Sequence, residues 1–166
     1  MTSTPKPKQP KPSAAQKTDA GITKPLEDES AQLTPLMFLK GNWRGDGRGP
    51  YGPYKLETRV EQRGRWMLMT SAIIDAKSHE ITYVSTQVYG YDSDGLQLQF
   101  FDTAGSFEFH GTQTDDGLQF DWKDGANWKR SEYWREAVGK IRFRDESVYP
   151  ASGSELFEGF WEPSLR

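Results

Sequence analysis

Turn residues recur at short, regular intervals along most of this chain, and they restrict its fold more than any other feature. From residue 42 onward the apolar residues alternate with polar ones or occupy both sides of the chain, which is typical of β-strands. Asp94-Gly95, Asp116-Gly117 and Asp124-Gly125 separate such stretches and are expected to supply the positive φ that tight hairpins need. The pattern predicts an all-β protein whose strands are joined by hairpins.

The spacing predicts ten strands after one short helix. The helix is expected over 33–39, with Thr34 as its N-cap and Pro35 in its first turn, and it should end before Gly41. The predicted strands are 42–49, 54–63, 65–76, 80–91, 95–103, 105–113, 117–123, 127–137, 140–149 and 154–162. An antiparallel up-and-down sheet of this size avoids exposed edges by closing into a barrel, and ten strands would enclose a cavity.

The aromatic residues divide the chain into two parts. The sequence has six Trp, seven Tyr and nine Phe residues, and none of them precedes Phe38. Residues 1–30 instead contain five prolines, five lysines and four acidic residues, so they have little to bury. We expect a disordered Pro/Lys-rich tail over 1–30 and a single barrel domain over 31–166.

Composition excludes several function classes. The chain has no cysteine, which removes disulfides, zinc thiolate sites and cysteine nucleophiles. Its net charge of −3 gives no electrostatic surface for nucleic acid. The sequence also lacks an apolar run long enough for a signal peptide or a membrane helix. We therefore expect a cytoplasmic protein whose partner is a small molecule rather than nucleic acid or a membrane, and the sequence leaves a homodimer open.

Large apolar side chains of the predicted strands are the candidates for the cavity wall. The residues predicted to bind a ligand there are Trp66, Phe100, Phe107, Phe109, Phe120, Trp122, Arg130, Trp134 and Phe143. Arg130 would need a carboxylate partner, from the protein or the ligand, if its strand face pointed inward. The opposite register would place Lys129, Ser131, Tyr133 and Arg135 inside. A further alternative is that Trp128 and Trp134 are structural residues and that the charges lie near the barrel rims.

The chain has two histidines, and any imidazole chemistry has to come from one of them. His79 lies in a polar hairpin connection and is expected to be an exposed loop residue. His110 shares a strand face with Glu108, opposite Phe107 and Phe109. If the phenylalanines point inward, His110 is exterior and inert. If they cover the outside, His110 lines the cavity as a base or haem ligand.

Two functions fit these features. The first is a non-haem binding barrel for a small apolar or aromatic ligand. The alternative is a cofactor-free enzyme of the cyclase, isomerase or hydratase type that uses the same cavity with one acid or base. The acid and base candidates are Tyr83, Tyr89, Asp102, Glu108 and His110. Neither function requires a cofactor or a metal.

The opening of the barrel region resembles a known family. Gly41-Asn42-Trp43 follows a short helix and precedes Arg44-Gly45-Asp46-Gly47, which is similar to the G-x-W opening of lipocalin-like (calycin) barrels. With ten short strands and a terminal Leu165-Arg166, residues 33–166 resemble the bacterial nitrobindin and fatty-acid-binding-protein-like families, which are of largely unknown function. The resemblance implies that Trp43 plugs one end of a lipocalin-like barrel and that Arg166 packs on it.

Two family features are missing from the sequence. Nitrobindins bind haem iron through a histidine near the C-terminus, but the matching stretch 157–163 contains none. The fatty-acid-binding relatives hold a carboxylate with an interior Arg-x-Tyr pair, and the last strand has no such spacing. We therefore expect no haem and no cofactor.

Overall fold

The computed structural model describes residues 32–103, 105–136 and 139–164 of the protein. A short 3₁₀ helix, Thr34–Leu39, precedes ten antiparallel strands that close into one barrel. The strands are β1 (Gly41–Gly49), β2 (Gly52–Arg63), β3 (Trp66–Asp75), β4 (Ile81–Asp92), β5 (Gly95–Asp102), β6 (Gly105–Gln113), β7 (Gly117–Asp124), β8 (Asn127–Arg135), β9 (Ile141–Tyr149) and β10 (Gly153–Pro163). Each strand pairs with its neighbours in sequence, and β1 closes the barrel against β10.

The predicted fold class is confirmed. Every strand begins and ends within two residues of its predicted bounds. The largest differences are β2, which begins at Gly52 directly after the Pro50–Tyr51 turn, and β8, which ends at Arg135. The predicted tail, residues 1–30, and Arg166 lie outside the described residues.

The hairpin prediction holds for two of the three Asp-Gly pairs. Gly95 and Gly125 have φ values of 112° and 59°, in the positive region that glycine enters without steric cost. Gly117 does not adopt such a φ, contrary to the prediction. Its lack of a side chain serves close packing instead, because an added Cβ would collide with the Tyr133 carbonyl oxygen.

The 3₁₀ helix covers one end of the barrel. Its N-cap is Leu33 rather than Thr34, and no side chain caps it, because Leu33 is drawn into the core together with Leu36 and Leu39. The Nε1 of Trp43 donates a hydrogen bond of 2.7 Å to the Leu39 carbonyl oxygen. Trp43 itself is only 8% exposed, so it joins the helix to the first strand and to the core.

The position of the helix distinguishes the two ends of the barrel. Odd-numbered strands begin beside the helix and run away from it, and even-numbered strands return. We call the half beside the helix the closed half and the other the mouth half. Interior side chains of the closed half, such as Met67, Tyr89, Leu98 and Phe120, are fully buried. Those of the mouth half are mostly in partial contact with solvent.

Strand β1 contributes glycines to the interior wall. Gly45, Gly47 and Gly49 follow Trp43 at every second position and therefore face inward. An added Cβ at Gly47 would collide with the Tyr54 ring, and one at Gly49 would lie 2.7 Å from the Phe157 ring. Aromatic rings from neighbouring strands thus fill the space that side chains of β1 would take.

Candidate functional site in the barrel interior

An aromatic wall lines the mouth half of the interior. The rings of Phe107 and Trp122 meet edge to face with centroids 5.2 Å apart, and Phe100 lies 6.4 Å from Phe107. Phe100 also contacts Phe109, whose burial to 2% exposure shows that this face of the sheet points inward. The three mouth rings are only partly buried. They present apolar surface that a small molecule entering the barrel would meet first.

A lysine lies inside this wall. Lys129 pairs with Trp122 across β7 and β8, and both side chains face inward. Its Nζ lies 3.7 Å from the centroid of the Phe107 ring, with the Phe100 and Tyr149 rings at 6.0 and 5.8 Å. The ammonium is therefore held by cation–π contacts, which are strongest where water is partly excluded.

An aspartate occupies the middle of the interior. Asp145 lies opposite Ser131 on β8, and the Ser131 hydroxyl hydrogen-bonds its carboxylate. Burial raises the pKa of Asp145 to about 6, against the lowering effects of Ser131 and the nearby Lys129 ammonium. The negative charge of Asp145 in turn helps raise the pKa of Tyr54 and Tyr83. Asp145 is therefore the electrostatic centre of the interior.

Two tyrosines and a glutamine form a polar layer in the closed half, next to Asp145. The hydroxyls of Tyr89 and Tyr133 lie 3.1 Å apart, and both donate to Oε1 of Gln87. All three side chains are buried. Burial raises the pKa of both phenols, so they stay neutral donors at physiological pH.

A tyrosine and an aspartate form a hydrogen-bonded pair at the mouth. The Tyr83 hydroxyl donates a 2.8 Å hydrogen bond to Oδ2 of Asp102. Burial raises the pKa of Tyr83 most, and the Asp102 carboxylate raises it further. Tyr83 and Asp102, both named as acid–base candidates, are thus brought together, whereas Tyr89 belongs to the buried layer.

Six of the nine predicted ligand-binding residues face the interior: Phe100, Phe107, Phe109, Phe120, Trp122 and Phe143. The other three, Trp66, Arg130 and Trp134, lie on the outer face. Trp66 packs over the side-chain-free surface of Gly90, and Trp134 lies under the Arg142 guanidinium, 4.3 Å from its ring centroid. Arg130 Nε donates a 2.6 Å hydrogen bond to Asp121 Oδ1. The strand face Lys129, Ser131 and Tyr133 takes their place inside.

Both remaining acid–base candidates also lie outside. His110 and Glu108 alternate with the buried Phe109, and His110 Nδ1 is 3.3 Å from Gln97 Nε2. This is the arrangement in which the phenylalanines point inward, so His110 lies on the outer face and does not line the interior as a base or haem ligand. Within 32–103, 105–136 and 139–164, no group of three or more His, Asp or Glu side chains is placed to hold a metal ion.

Sequence reasoning did not single out Asp145, and it offered Lys129, Ser131 and Tyr133 only as the opposite register. The sequence did contain a pattern that places Asp145 inside: it follows Ile141 and Phe143 at every second position, on a face that two large apolar residues mark as buried.

The part of the chain that the structure describes contains no helix with the length and hydrophobicity needed to span a membrane.

The barrel is similar to the solved structure of a mycobacterial protein. The crystal structure of Rv2717c from M. tuberculosis superimposes with a TM-score of 0.63 at 13% sequence identity, covering 80% of this chain and 97% of that one. At this identity the likeness shows the fold alone. No protein-family model matches the sequence, and comparison with curated proteins gives no match either.

Proposed function

We propose that this protein binds a small apolar or aromatic molecule, without haem, inside the mouth half of its barrel. The observation that carries the proposal is the wall of Phe100, Phe107 and Trp122, whose rings point inward yet remain partly open to solvent. Ligand sites combine such apolar walls with a few polar groups that orient the ligand, and Lys129 and Asp145 are groups of that kind.

We also propose a protein family, a cellular location and a type of partner for this chain. The closed ten-stranded barrel and the Gly41-Asn42-Trp43 opening support a place among lipocalin-like, nitrobindin-related barrels. The composition supports a cytoplasmic protein with a small molecule, rather than nucleic acid or a membrane, as its partner, and it leaves a homodimer open. The absence of a histidine from 157–163 supports a ligand other than haem.

The cofactor-free enzyme has less support. Of its five acid–base candidates, Glu108 and His110 lie on the outer face and Tyr89 is fully buried. Tyr83 and Asp102 hydrogen-bond to each other at the mouth. A general acid or base has to reach the reacting atom of its substrate, and only this mouth pair is placed near the proposed ligand.

A neutral fluorescent probe tests the binding proposal. N-phenyl-1-naphthylamine should bind with saturable fluorescence enhancement and a stoichiometry of one per chain. Phe107→Ala removes part of the wall and should weaken probe binding at least fivefold. Trp134→Ala removes a larger aromatic ring from the outer face and should leave binding unchanged. Failure of the probe to bind, or equal losses in both variants, would contradict the proposed site.

A further inference from the structure

Lys129 is an unusual residue for the inside of a barrel. Lysine ammonium groups normally extend into water, whereas this one lies 3.7 Å above the Phe107 ring. The Phe100 and Tyr149 rings flank it from two other strands. Aromatic faces arranged around one positive charge are the means by which proteins recognise organic ammonium ligands. The protein's own lysine occupies this cage.

The charges around the cage also favour a cation. Among the described residues, every charged side chain other than Lys129 at an inward-facing register position of the mouth half is acidic. These residues are Asp75, Asp102, Asp124, Asp145 and Glu155. An anionic ligand would enter against five carboxyl groups with one ammonium to attract it. A cationic ligand would meet carboxylates both at the rim and in the middle of the barrel.

Asp145 is placed to act as the counter-ion. It lies on β9 four residues before Tyr149, on the same inward face, and its charge acts on Lys129 as well as on the phenols of Tyr54 and Tyr83. Ser131 holds its carboxylate in position. A positive group in the aromatic cage would therefore have a fixed carboxylate behind it and rings around it.

We propose that the mouth half binds an organic cation, with an apolar or aromatic body and a protonated amine or quaternary ammonium group, in the cage that the Lys129 ammonium occupies. This inference rests on the proposed function and specifies its ligand class. Lys129 is partly exposed and its four-carbon stem is flexible, so the ammonium can withdraw through the mouth when a ligand enters. Lys129 then acts as an internal competitor, and Asp145 as the attracting charge.

Three probes that share a benzyl group test the charge of the ligand. Benzyltrimethylammonium is the cation, neopentylbenzene is its neutral isostere, and phenylacetate is an anion. Calorimetric titration of the full chain should give at least tenfold tighter binding for the cation than for the other two. Lys129→Met should tighten cation binding about tenfold, since it removes the competing charge, and Asp145→Asn should weaken it about tenfold.

Matched outer-face variants serve as controls. Lys123→Met and Asp46→Asn change the same residue types at exposed positions and should leave all three affinities unchanged. Thermal unfolding of each variant confirms that it is folded. If Asp145→Asn does not fold, Lys129→Met alone still tests the inference. Equal affinity for cation and neutral isostere would overturn this inference while the proposed function stands. Preference for phenylacetate, lost in Lys129→Met, would also overturn it. Binding of none of the probes, N-phenyl-1-naphthylamine included, would contradict both proposals.

Discussion

The two halves of the barrel are built from the same ten strands but differ in what fills them. In the closed half, Met67, Leu98 and Phe120 are fully buried, and Tyr89 and Tyr133 satisfy their hydroxyls through Gln87. In the mouth half, aromatic rings and carboxylates face the interior while keeping some contact with water. Each strand therefore contributes one end to the core and the other to the candidate site.

This division separates the causes of stability and of binding. Apolar area removed from water stabilises the fold, and the closed half removes most of it. Partly exposed rings contribute less to folding but remain available to a ligand. Buried charge adds a cost in the mouth half, where Asp145 has its raised pKa. Three measurements sharpen this comparison.

The largest effect is expected from truncating matched phenylalanines in the two halves. Phe120→Ala removes a fully buried ring from the closed half and should lower the free energy of unfolding by about 3–5 kcal/mol. Phe107→Ala removes a partly exposed ring from the mouth half and should cost less than about 2 kcal/mol. Urea denaturation measures both. Equal losses would show that the two halves are packed alike.

The free energy of unfolding is expected to change with pH by up to about 3 kcal/mol because of Asp145. Its pKa is raised from the usual 3.8 to about 6, so the folded state binds the proton more tightly than the unfolded state. This contribution to stability is present below about pH 4 and is lost as the pH rises through 6. Asp145→Asn removes the titration, so its stability relative to wild type should increase between pH 4 and pH 8. Denaturation at both pH values measures the difference, and a pH-independent difference would contradict the raised pKa.

A smaller effect is expected where the helix joins the barrel. Trp43→Phe keeps an aromatic ring but removes the Nε1 donor to Leu39, and should cost about 1–2 kcal/mol. Trp134→Phe makes the same change on the outer face and should alter stability by less than about 0.5 kcal/mol. Chemical denaturation compares the two variants. A cost at Trp134 equal to that at Trp43 would mean that the outer face is as important to stability as the covered end.

The barrel was predictable because its signals are local. Asp94-Gly95 and Asp124-Gly125 set hairpins within two residues, and alternation in strands such as β2 marks one buried face. A closed up-and-down order then follows from joining successive hairpins. The start of the helix was less predictable, because burial of Leu33 overrides the capping preference of Thr34.

The site was only partly predictable because it depends on which face of each strand points inward. On β8, Trp128 and Trp134 suggested one face, whereas Ser131 and Tyr133 are the buried residues. Arginines explain the difference: Arg130 and Arg142 lie over these tryptophans and allow large rings on the outside. Hydrogen bonds to Gln87 allow Tyr133 inside. Both compensations come from other positions, which alternation within one strand does not reveal.

The glycines of β1 have a consequence for how freely the sequence can vary. Gly45, Gly47 and Gly49 have no side chains, yet an alanine at any of them needs space already taken by the Phe160 carbonyl oxygen, the Tyr54 ring or the Phe157 ring, respectively. A change at Gly47 or Gly49 demands a simultaneous change in a large ring on a neighbouring strand, and a change at Gly45 demands a shift of the β10 backbone. The segment with the fewest side chains is therefore among the least substitutable, and its tolerance is set by the two strands beside it, one of which lies at the other end of the sequence.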